Sequence, residues 1–153
     1  MPKLHCILLF IVLTTGCGKE KDDPVFTSAL EEQVLEQVNL HRSQMGLNQL
    51  SLHPSLSMLA RNHSGNMALQ KVPFEHDGFS SRADRINNNL GSGSIGENVA
   101  MSSDDAVYTV QSLWLTSPGH KANIEGNFTS TGIGVAKGTD GYWYYTQIFY
   151  KPQ

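Results

Sequence analysis

The chain has 153 residues, of which 39% are hydrophobic, and its formal net charge is -3. This length and apolar content suit one domain with a core of its own. The mild acidity and the lack of clustered Lys and Arg argue against a nucleic-acid-binding protein.

The first residues are typical of an export signal. Lys3 precedes an apolar run over residues 6–13 that is too short to span a bilayer as a helix. The run leads into Leu13-Thr14-Thr15-Gly16-Cys17, which resembles a bacterial lipobox. We therefore predict that residues 1–16 are a lipoprotein signal peptide and that Cys17 becomes lipidated, for example with palmitate. An ordinary secretory signal that ends near a cysteine is the alternative.

The two cysteines predict a mature domain without a disulfide. Cys6 would be removed with the signal and Cys17 would be acylated, so no pair of thiols would remain. A domain of this size can be stable without such a bridge. Residues 17–27 open with a polar, charged stretch that predicts a flexible tether. The folded domain is then predicted to occupy residues 28–153.

Two helices are predicted in the first half of that domain. Ser28 and Glu31 have the spacing of a capping box, and apolar residues then recur at helical spacing until Gly46. Pro54 can open the second helix at its first turn, and the apolar face of this helix extends to Met67.

Each of these helices contains a histidine on its apolar face. His41 lies on the first helix and His63 on the second. We predict packing roles for both. Metal binding by His63 is kept as an alternative, because it precedes His76 closely in the chain.

Three short segments combine a potential metal ligand with small or turn-forming residues. His76 lies in a predicted loop between aromatic residues, and Glu97 lies at the start of a predicted strand. His120 lies in a short helix that Ser117 can cap and Pro118 can open. A buried glutamate is costly unless a partner or a metal neutralises it. The spacing alone does not show that the three side chains meet.

The remaining elements are predicted from periodicity and turn residues. A short third helix is expected over residues 82–86, followed by an irregular stretch over residues 87–94. A fourth helix is expected from about residue 106 to 114. The C-terminal part is predicted to be a hairpin with strands over 132–137 and 142–150. Its second strand is apolar on both faces, which predicts helices on both sides of the sheet.

Four motifs in this order resemble the CAP superfamily, which contains the cysteine-rich secretory proteins, antigen 5 and plant pathogenesis-related proteins. They are Asn39-Leu40-His41-Arg42 with Gly46-Leu47, His76-Asp77-Gly78-Phe79 with Arg82, Gly96-Glu97-Asn98-Val99-Ala100, and Trp114 to His120 leading to Gly132-Ile133-Gly134-Val135. The resemblance covers residues 29 to 149 and is closest to the bacterial branch, which lacks the disulfides. It implies an α+β fold, a CAP-type α-β-α sandwich in which helices cover both faces of a small, mostly antiparallel sheet. Asn39 and Arg42 match positions that brace this fold.

The resemblance also implies a site. His76, Glu97 and His120 match two site histidines and the first site glutamate of the family. At Ser117 the chain departs from the animal and plant pattern, which has a second glutamate there. Two imidazoles and a carboxylate are the ligand set of an open zinc site. We therefore predict a cleft built from these three residues that holds a divalent metal, with zinc as the candidate.

Two functions fit such a cleft. Relatives are implicated in binding sterols, other lipids, peptides and receptors, so the resemblance implies an extracytoplasmic binding module for a lipid, glycan or peptide. The alternative is a metal-dependent hydrolase, a weak peptidase or lipid hydrolase, with His76, Glu97 and His120 as catalytic candidates. If Glu97 binds the metal, these motifs leave no second carboxylate as a general base, so we favour the binding module. A third option is contact through the irregular stretch 87–94.

A serine hydrolase is disfavoured. Ser117 and His120 could pair as nucleophile and base, but serine before Pro118 is a common helix start, and no Gly-x-Ser-x-Gly motif is present. The expected location is extracytoplasmic, anchored through Cys17 to a membrane of a bacterial envelope. The acidic residues after Cys17 are compatible with the cell surface, and a monomer is expected.

Overall fold

The computed structural model describes residues 25–153, so the predicted signal peptide, Cys17 and most of the predicted tether lie outside the described residues. The elements are β1 (Val25–Phe26), α1 (Ser28–Gln44), β2 (Ser51–Leu52), α2 (Pro54–Ala68), α3 (Phe79–Leu90), β3 (Gly93–Ser102), α4 (Ala106–Tyr108), a π-helical segment (Thr109–Trp114), α5 (Pro118–Ile124), β4 (Ser130–Lys137) and β5 (Trp143–Pro152). Val25 and Phe26, which the sequence assigned to the tether, form the first strand. None of the helices in this part of the chain has the length and apolar character needed to cross a membrane.

The sheet is built around the predicted C-terminal hairpin. Its order is β1-β4-β5-β3, and the short β2 pairs with the start of β4. All pairings are antiparallel except that of β2 with β4. Ile148 of β5 lies opposite Glu97 of β3 on one side and Gly132 of β4 on the other. The small, mostly antiparallel sheet expected from the sequence is confirmed.

Helices cover both faces of this sheet. On one face, α1, α4, the π-helical segment and α5 pack over Tyr145 and Phe149 of β5. On the other face, α2 and α3 pack over Tyr144 and Ile148 of the same strand. The two apolar faces of β5 therefore each have a helical cover, because a strand in a middle layer must be apolar on both sides. The predicted α-β-α sandwich is confirmed.

Two glycines of β4 allow α2 to lie directly on the sheet. A Cβ atom on Gly134 would lie 2.2 Å from the backbone nitrogen of Arg61, and one on Gly132 would lie 2.1 Å from the carbonyl carbon of Leu56. No side chain fits at either position, so the helix backbone sits against the strand. This contact fixes the position of α2 on the sheet.

Three local predictions differ from the structure. The N-cap of α1 is Thr27, whose hydroxyl accepts a hydrogen bond from the backbone N–H of Leu30, so the predicted capping box is wrong. Helix α3 continues to Leu90 and β3 begins at Gly93, so most of the stretch predicted to be irregular is regular. The last six residues of the predicted fourth helix, Thr109–Trp114, are π-helical.

Candidate functional site

The side chain of Glu97 is held by two partners beneath the surface. It is only 1% exposed. Arg82 donates from Nε to Oε2 and from Nη2 to Oε1, both at 2.7 Å. Nδ1 of His76 lies 3.0 Å from Oε1. Because an ionised carboxylate only accepts hydrogen bonds, Nδ1 of His76 is the donor. Nε2, the other ring nitrogen, is then the one that carries a lone pair whenever the ring is neutral.

Arg82 connects three parts of the molecule. It lies in the first turns of α3, is 12% exposed and also donates from Nη1 to the backbone carbonyl of Asp77 at 2.7 Å. Gly78, which precedes the helix, has φ +73°, so the loop can turn sharply between His76 and α3. The guanidinium group thus ties the loop, α3 and β3 together. It also neutralises Glu97, which meets the cost of burying that carboxylate.

His120 is positioned by asparagines on and beside β3. The buried Asn98 donates from Nδ2 to the carbonyl of His120 at 3.1 Å. Asn123 donates from its amide to the carbonyl of Glu97 at 3.1 Å and to Oδ1 of Asn98 at 2.9 Å. These bonds hold α5 against β3. His120 therefore lies at a fixed distance from the strand that carries Glu97.

The imidazole of His120 is neutral near pH 7. Burial, and then the nearby charge of His76, lower the pKa of His120. Its Nδ1 atom is buried and has no hydrogen-bond partner in residues 25–153. A buried polar atom without a partner is uncommon in folded proteins and marks a place where a ligand or an ion can bind.

His76 and His120 line the same cavity. This histidine cavity has a volume of about 600 Å³ and is formed by residues 74–80 together with Val99 and His120. The side chain of His76 is 50% exposed. Glu97 is not part of the lining and lies behind His76. Within the described part of the chain, no group of three or more His, Cys, Asp or Glu side chains has an arrangement that could hold a metal ion.

The other histidine candidates make structural contacts. His63 is buried, and its Nε2 atom lies 2.9 Å from the carbonyl of Glu75, so it holds the loop next to the cavity. Burial, and then the charge of Arg82, lower the pKa of His63. His41 bonds Glu125 at 2.8 Å between α1 and the end of α5.

The predicted bracing residues and Ser117 have clear positions. Arg42 is buried and donates to the carbonyls of Ile124 and Gly126, among others. Asn39 both donates to and accepts from the backbone of Leu50. Ser117 is the N-cap residue of α5, but its side chain makes no capping hydrogen bond.

Sequence reasoning misses the residues that support the site. It identifies Arg82 only as part of a motif, although a buried Glu97 requires a cationic partner. It gives Asn98 and Asn123 no role. An asparagine directly after a site residue in a predicted strand is the signal that was available for Asn98.

An α-β-α sandwich with a histidine-lined cavity beside the edge strand is the architecture of a CAP-type domain. The sequence matches the profile of the Cysteine-rich secretory protein family (CAP) over residues 35–149, and the chain belongs to this family. The sequence matches no curated protein.

Several solved structures of bacterial proteins are similar. An outer surface protein from Borrelia burgdorferi has a TM-score of 0.72 at 20% identity, over 85% of this chain and 98% of that chain. An extracellular protein containing a SCP domain from Bacillus anthracis has a TM-score of 0.63 at 30% identity, over 78% of this chain and 39% of that chain. A cysteine-rich secretory protein from Staphylococcus aureus has a TM-score of 0.63 at 23% identity, over 80% of this chain and 38% of that chain. The last two proteins are thus much longer than the segment this chain matches.

Proposed function

We propose that this protein is a CAP-domain binding module of a bacterial envelope and that the histidine cavity is its binding site. The observation that carries the proposal is the pair of imidazoles, His76 and His120, that face one cavity, with His76 oriented by the buried Glu97. The cavity volume of about 600 Å³ falls in the range of small-molecule sites.

The lining indicates what the site would bind. Phe74, Phe79 and Val99 supply apolar surface, while the two imidazoles supply hydrogen-bonding groups. Such a lining suits a ligand that combines a polar or acidic group with an apolar part. A lipid or a peptide meets this description.

We also propose that zinc binds at the two imidazoles. The buried, unpartnered Nδ1 of His120 and the free Nε2 of His76 fit the nitrogen ligands that zinc prefers. Glu97 does not fit as a third ligand, because both of its oxygens already accept hydrogen bonds. It would instead act as the outer carboxylate that orients a ligating histidine. When bound, zinc would polarise a coordinated oxygen of water or of the ligand.

A metal-dependent hydrolase is the second candidate. It would require a general base near the metal, and Glu97 cannot serve while Arg82 and His76 occupy its oxygens. With two protein ligands for zinc instead of three, the site favours binding over catalysis.

The proposed location is extracytoplasmic, with an anchor at Cys17. The lipobox-like segment supports it, as do the similar proteins, of which one is an outer surface protein and another is extracellular. Mass spectrometry of the mature protein tests this directly. We expect a lipidated Cys17 as the first residue, and a Cys17→Ala variant should be released from membranes.

Blocking the cavity tests the binding site. We expect Ser80→Trp, at the exposed lining of the cavity, to abolish copurification of a small molecule with the protein, as read by native mass spectrometry. The matched control is Ser81→Trp, because Ser81 is the next exposed residue of α3 and does not line this cavity. Equal ligand in both variants would contradict the proposal.

Zinc-dependent unfolding tests the metal. A ligand that binds only the folded protein stabilises it by about 2.7 kcal/mol at a hundredfold excess over its Kd. We expect zinc to raise the melting temperature of the wild type but not of His76→Ala or His120→Ala. His53→Asn, which changes a histidine outside the cavity, should keep the shift. Absence of any shift in the wild type would remove zinc from the proposal.

A further inference from the structure

Exposed apolar side chains gather at one end of the sheet. We call this the hairpin end: it is formed by the β4–β5 connection, residues 138–142, and by the neighbouring end of β3. In the described part of the chain, nine large apolar side chains are exposed, and five of them lie at or next to the hairpin end. These five are Phe74, Met101, Val107, Tyr108 and Tyr142.

The positions of these residues follow from the strand register. Met101 lies opposite Tyr144 across β3 and β5. The ring of Phe74 packs edge-on against Tyr144, with 6.4 Å between the ring centroids. Tyr142 directly precedes β5, and Val107 and Tyr108 lie in α4, shortly after β3 ends. By contrast, Leu52 pairs with the start of β4, at the opposite end of the sheet.

The chain enters the domain at the same end. Val25 pairs with Lys137 and Phe26 with Ala136 in an antiparallel ladder, so Val25, the first described residue, lies nearer the hairpin end than Phe26. Between Cys17 and Val25 the chain has 25 - 17 = 8 residue steps. At about 3.3–3.6 Å per residue, a fully extended connection spans no more than about 29 Å.

We propose that the hairpin end rests on the lipid bilayer, with Met101 and Tyr142 in the boundary between headgroups and acyl chains. This inference rests on the proposed anchor at Cys17. Single exposed apolar residues are normal, but five of them beside the point where a short anchored connection enters are suited to a membrane contact. Tyrosine and tryptophan favour this boundary, and the partly buried Trp143 lies here under the ammonium group of Lys137, 5.1 Å from its ring centroid.

Charge indicates the kind of lipid surface. Asp104 and Asp105 directly precede α4, and Asp140 lies in the β4–β5 connection, so all three lie at the hairpin end with Lys137. Asp105 accepts a hydrogen bond from the N–H of Tyr108, and Asp140 accepts from the hydroxyl of Tyr144. These acidic residues organise the turns and would be repelled by anionic headgroups. The contact would therefore depend on apolar burial and would be stronger on zwitterionic lipid.

The orientation brings the histidine cavity close to the bilayer. Phe74 belongs both to the hairpin end and to the cavity lining, and Val99 precedes Met101 by two residues on the same face of β3. A lipid or a membrane-associated peptide would then reach the two histidines along the membrane surface.

Fluorescent labels at the two ends of the sheet test the orientation. The chain has only Cys6 and Cys17, so in the lipidated mature protein an introduced cysteine is the sole free thiol. An environment-sensitive fluorophore would be attached to Tyr142→Cys, and the matched control is Leu52→Cys. These two residues are 42% and 44% exposed.

We expect the label at 142 to shift to shorter wavelength, with severalfold higher emission, when the full lipidated chain is reconstituted into phosphatidylcholine vesicles. Brominated lipid should quench it, and Met101→Ser should reduce both effects. The label at 52 should report water. Anionic vesicles should give a smaller shift at 142.

The outcomes separate the inference from the anchor on which it rests. If mass spectrometry finds lipid on Cys17 but both labels report water, or both respond equally, the orientation is overturned while the anchor stands. If Cys17 carries no lipid, the anchor fails and the orientation falls with it.

Discussion

Two buried glutamates of this domain each form a salt bridge with an arginine, and we call these pairs the Glu31 cluster and the Glu97 cluster. Glu31 of α1 accepts hydrogen bonds from Nε and Nη2 of Arg61 on α2. Glu97 of β3 accepts them from the same two atoms of Arg82 on α3. Both pairs have the bidentate geometry in which arginine binds a carboxylate most strongly.

The two clusters differ in what else the glutamate contacts. Glu31 also lies near the backbone N–H of Val135, so it only joins α1, α2 and β4. Glu97 contacts His76, which reaches the histidine cavity. A buried, paired carboxylate therefore does not by itself mark a functional site. The side chain that leads from the carboxylate to an open cavity does.

Removal of each arginine in turn should give the largest difference between the two glutamates. Arg82 is 12% exposed and Arg61 is 45% exposed. We expect Arg82→Met to lower the free energy of unfolding by about 3–5 kcal/mol, because the buried carboxylate of Glu97 loses its arginine and keeps only the contact with His76. Arg61→Met should cost less, near the lower end of about 1.5–3 kcal/mol, because water can reach Glu31 more easily. Urea unfolding of both variants measures the difference.

Neutralising Glu97 supplies an internal check on this prediction. If the carboxylate of Glu97 is the source of the cost, Glu97→Gln combined with Arg82→Met should recover part of the lost stability, because no unpaired charge remains. The prediction would be contradicted if the two arginine variants lost equal free energy of unfolding, or if the double variant recovered none. Either result would mean that the exposure of Arg82 and Arg61 does not determine how much each salt bridge contributes.

The second prediction concerns the contact between α2 and β4 beside the Glu31–Arg61 pair. The backbone of Arg61 sits over Gly134, so we expect Gly134→Ala to push α2 off β4 and to cost about 1–3 kcal/mol. A Cβ atom on Gly119 in α5 would have no other atom within 4 Å in the described part of the chain. Gly119→Ala is therefore the matched control, expected to be neutral or slightly stabilising. Thermal unfolding compares the two.

This variant also sharpens the functional distinction. Gly134→Ala should leave the proposed zinc-dependent rise in melting temperature in place, because neither Gly134 nor Arg61 is among the residues that line the histidine cavity. Loss of the zinc response in this variant would mean that the two clusters are coupled through α2.

Much of the fold could be predicted because its signals are local. Pro54 starts α2 as predicted, and the apolar alternation on both faces of β5 indicated a covered sheet. The end of α3 could not be predicted in this way. The hydroxyl of Tyr150 donates to the carbonyls of Leu90 and Gly91 from the other end of the chain, and this tertiary contact completes the helix end.

The same limit applies to the two glutamates. The spacing of Ser28 and Glu31 indicated a cap, but Glu31 instead pairs with Arg61, thirty residues away. The family resemblance singled out His76 and His120, which the structure brings to one cavity. The partner of Glu97 remained unknown, because which arginine reaches a buried carboxylate depends on how α3 packs on β3.

The smallest expected effect is a difference in pH dependence between the two clusters. Burial, and then the charge of Arg82, lower the pKa of His63 from the ordinary value of 6.5. The unfolded chain therefore binds more protons than the folded one as the pH falls through 6.5, and the free energy of unfolding decreases from about pH 7 to about pH 5. Burial lowers the pKa of His120 in the same direction. His63→Gln should reduce this pH dependence, as followed by urea unfolding across the range.

Arg61→Met is the control for this measurement. Within residues 25–153, no histidine forms a hydrogen bond with Glu31 or Arg61. It should lower stability by a similar amount at each pH and keep the slope of the wild type. If the change in unfolding free energy with pH were the same in His63→Gln as in the wild type, or smaller in Arg61→Met, the acid sensitivity would not come from His63. Because His63 holds the loop that carries His76, a reduced slope would assign part of the acid sensitivity to a side chain that supports the wall of the histidine cavity.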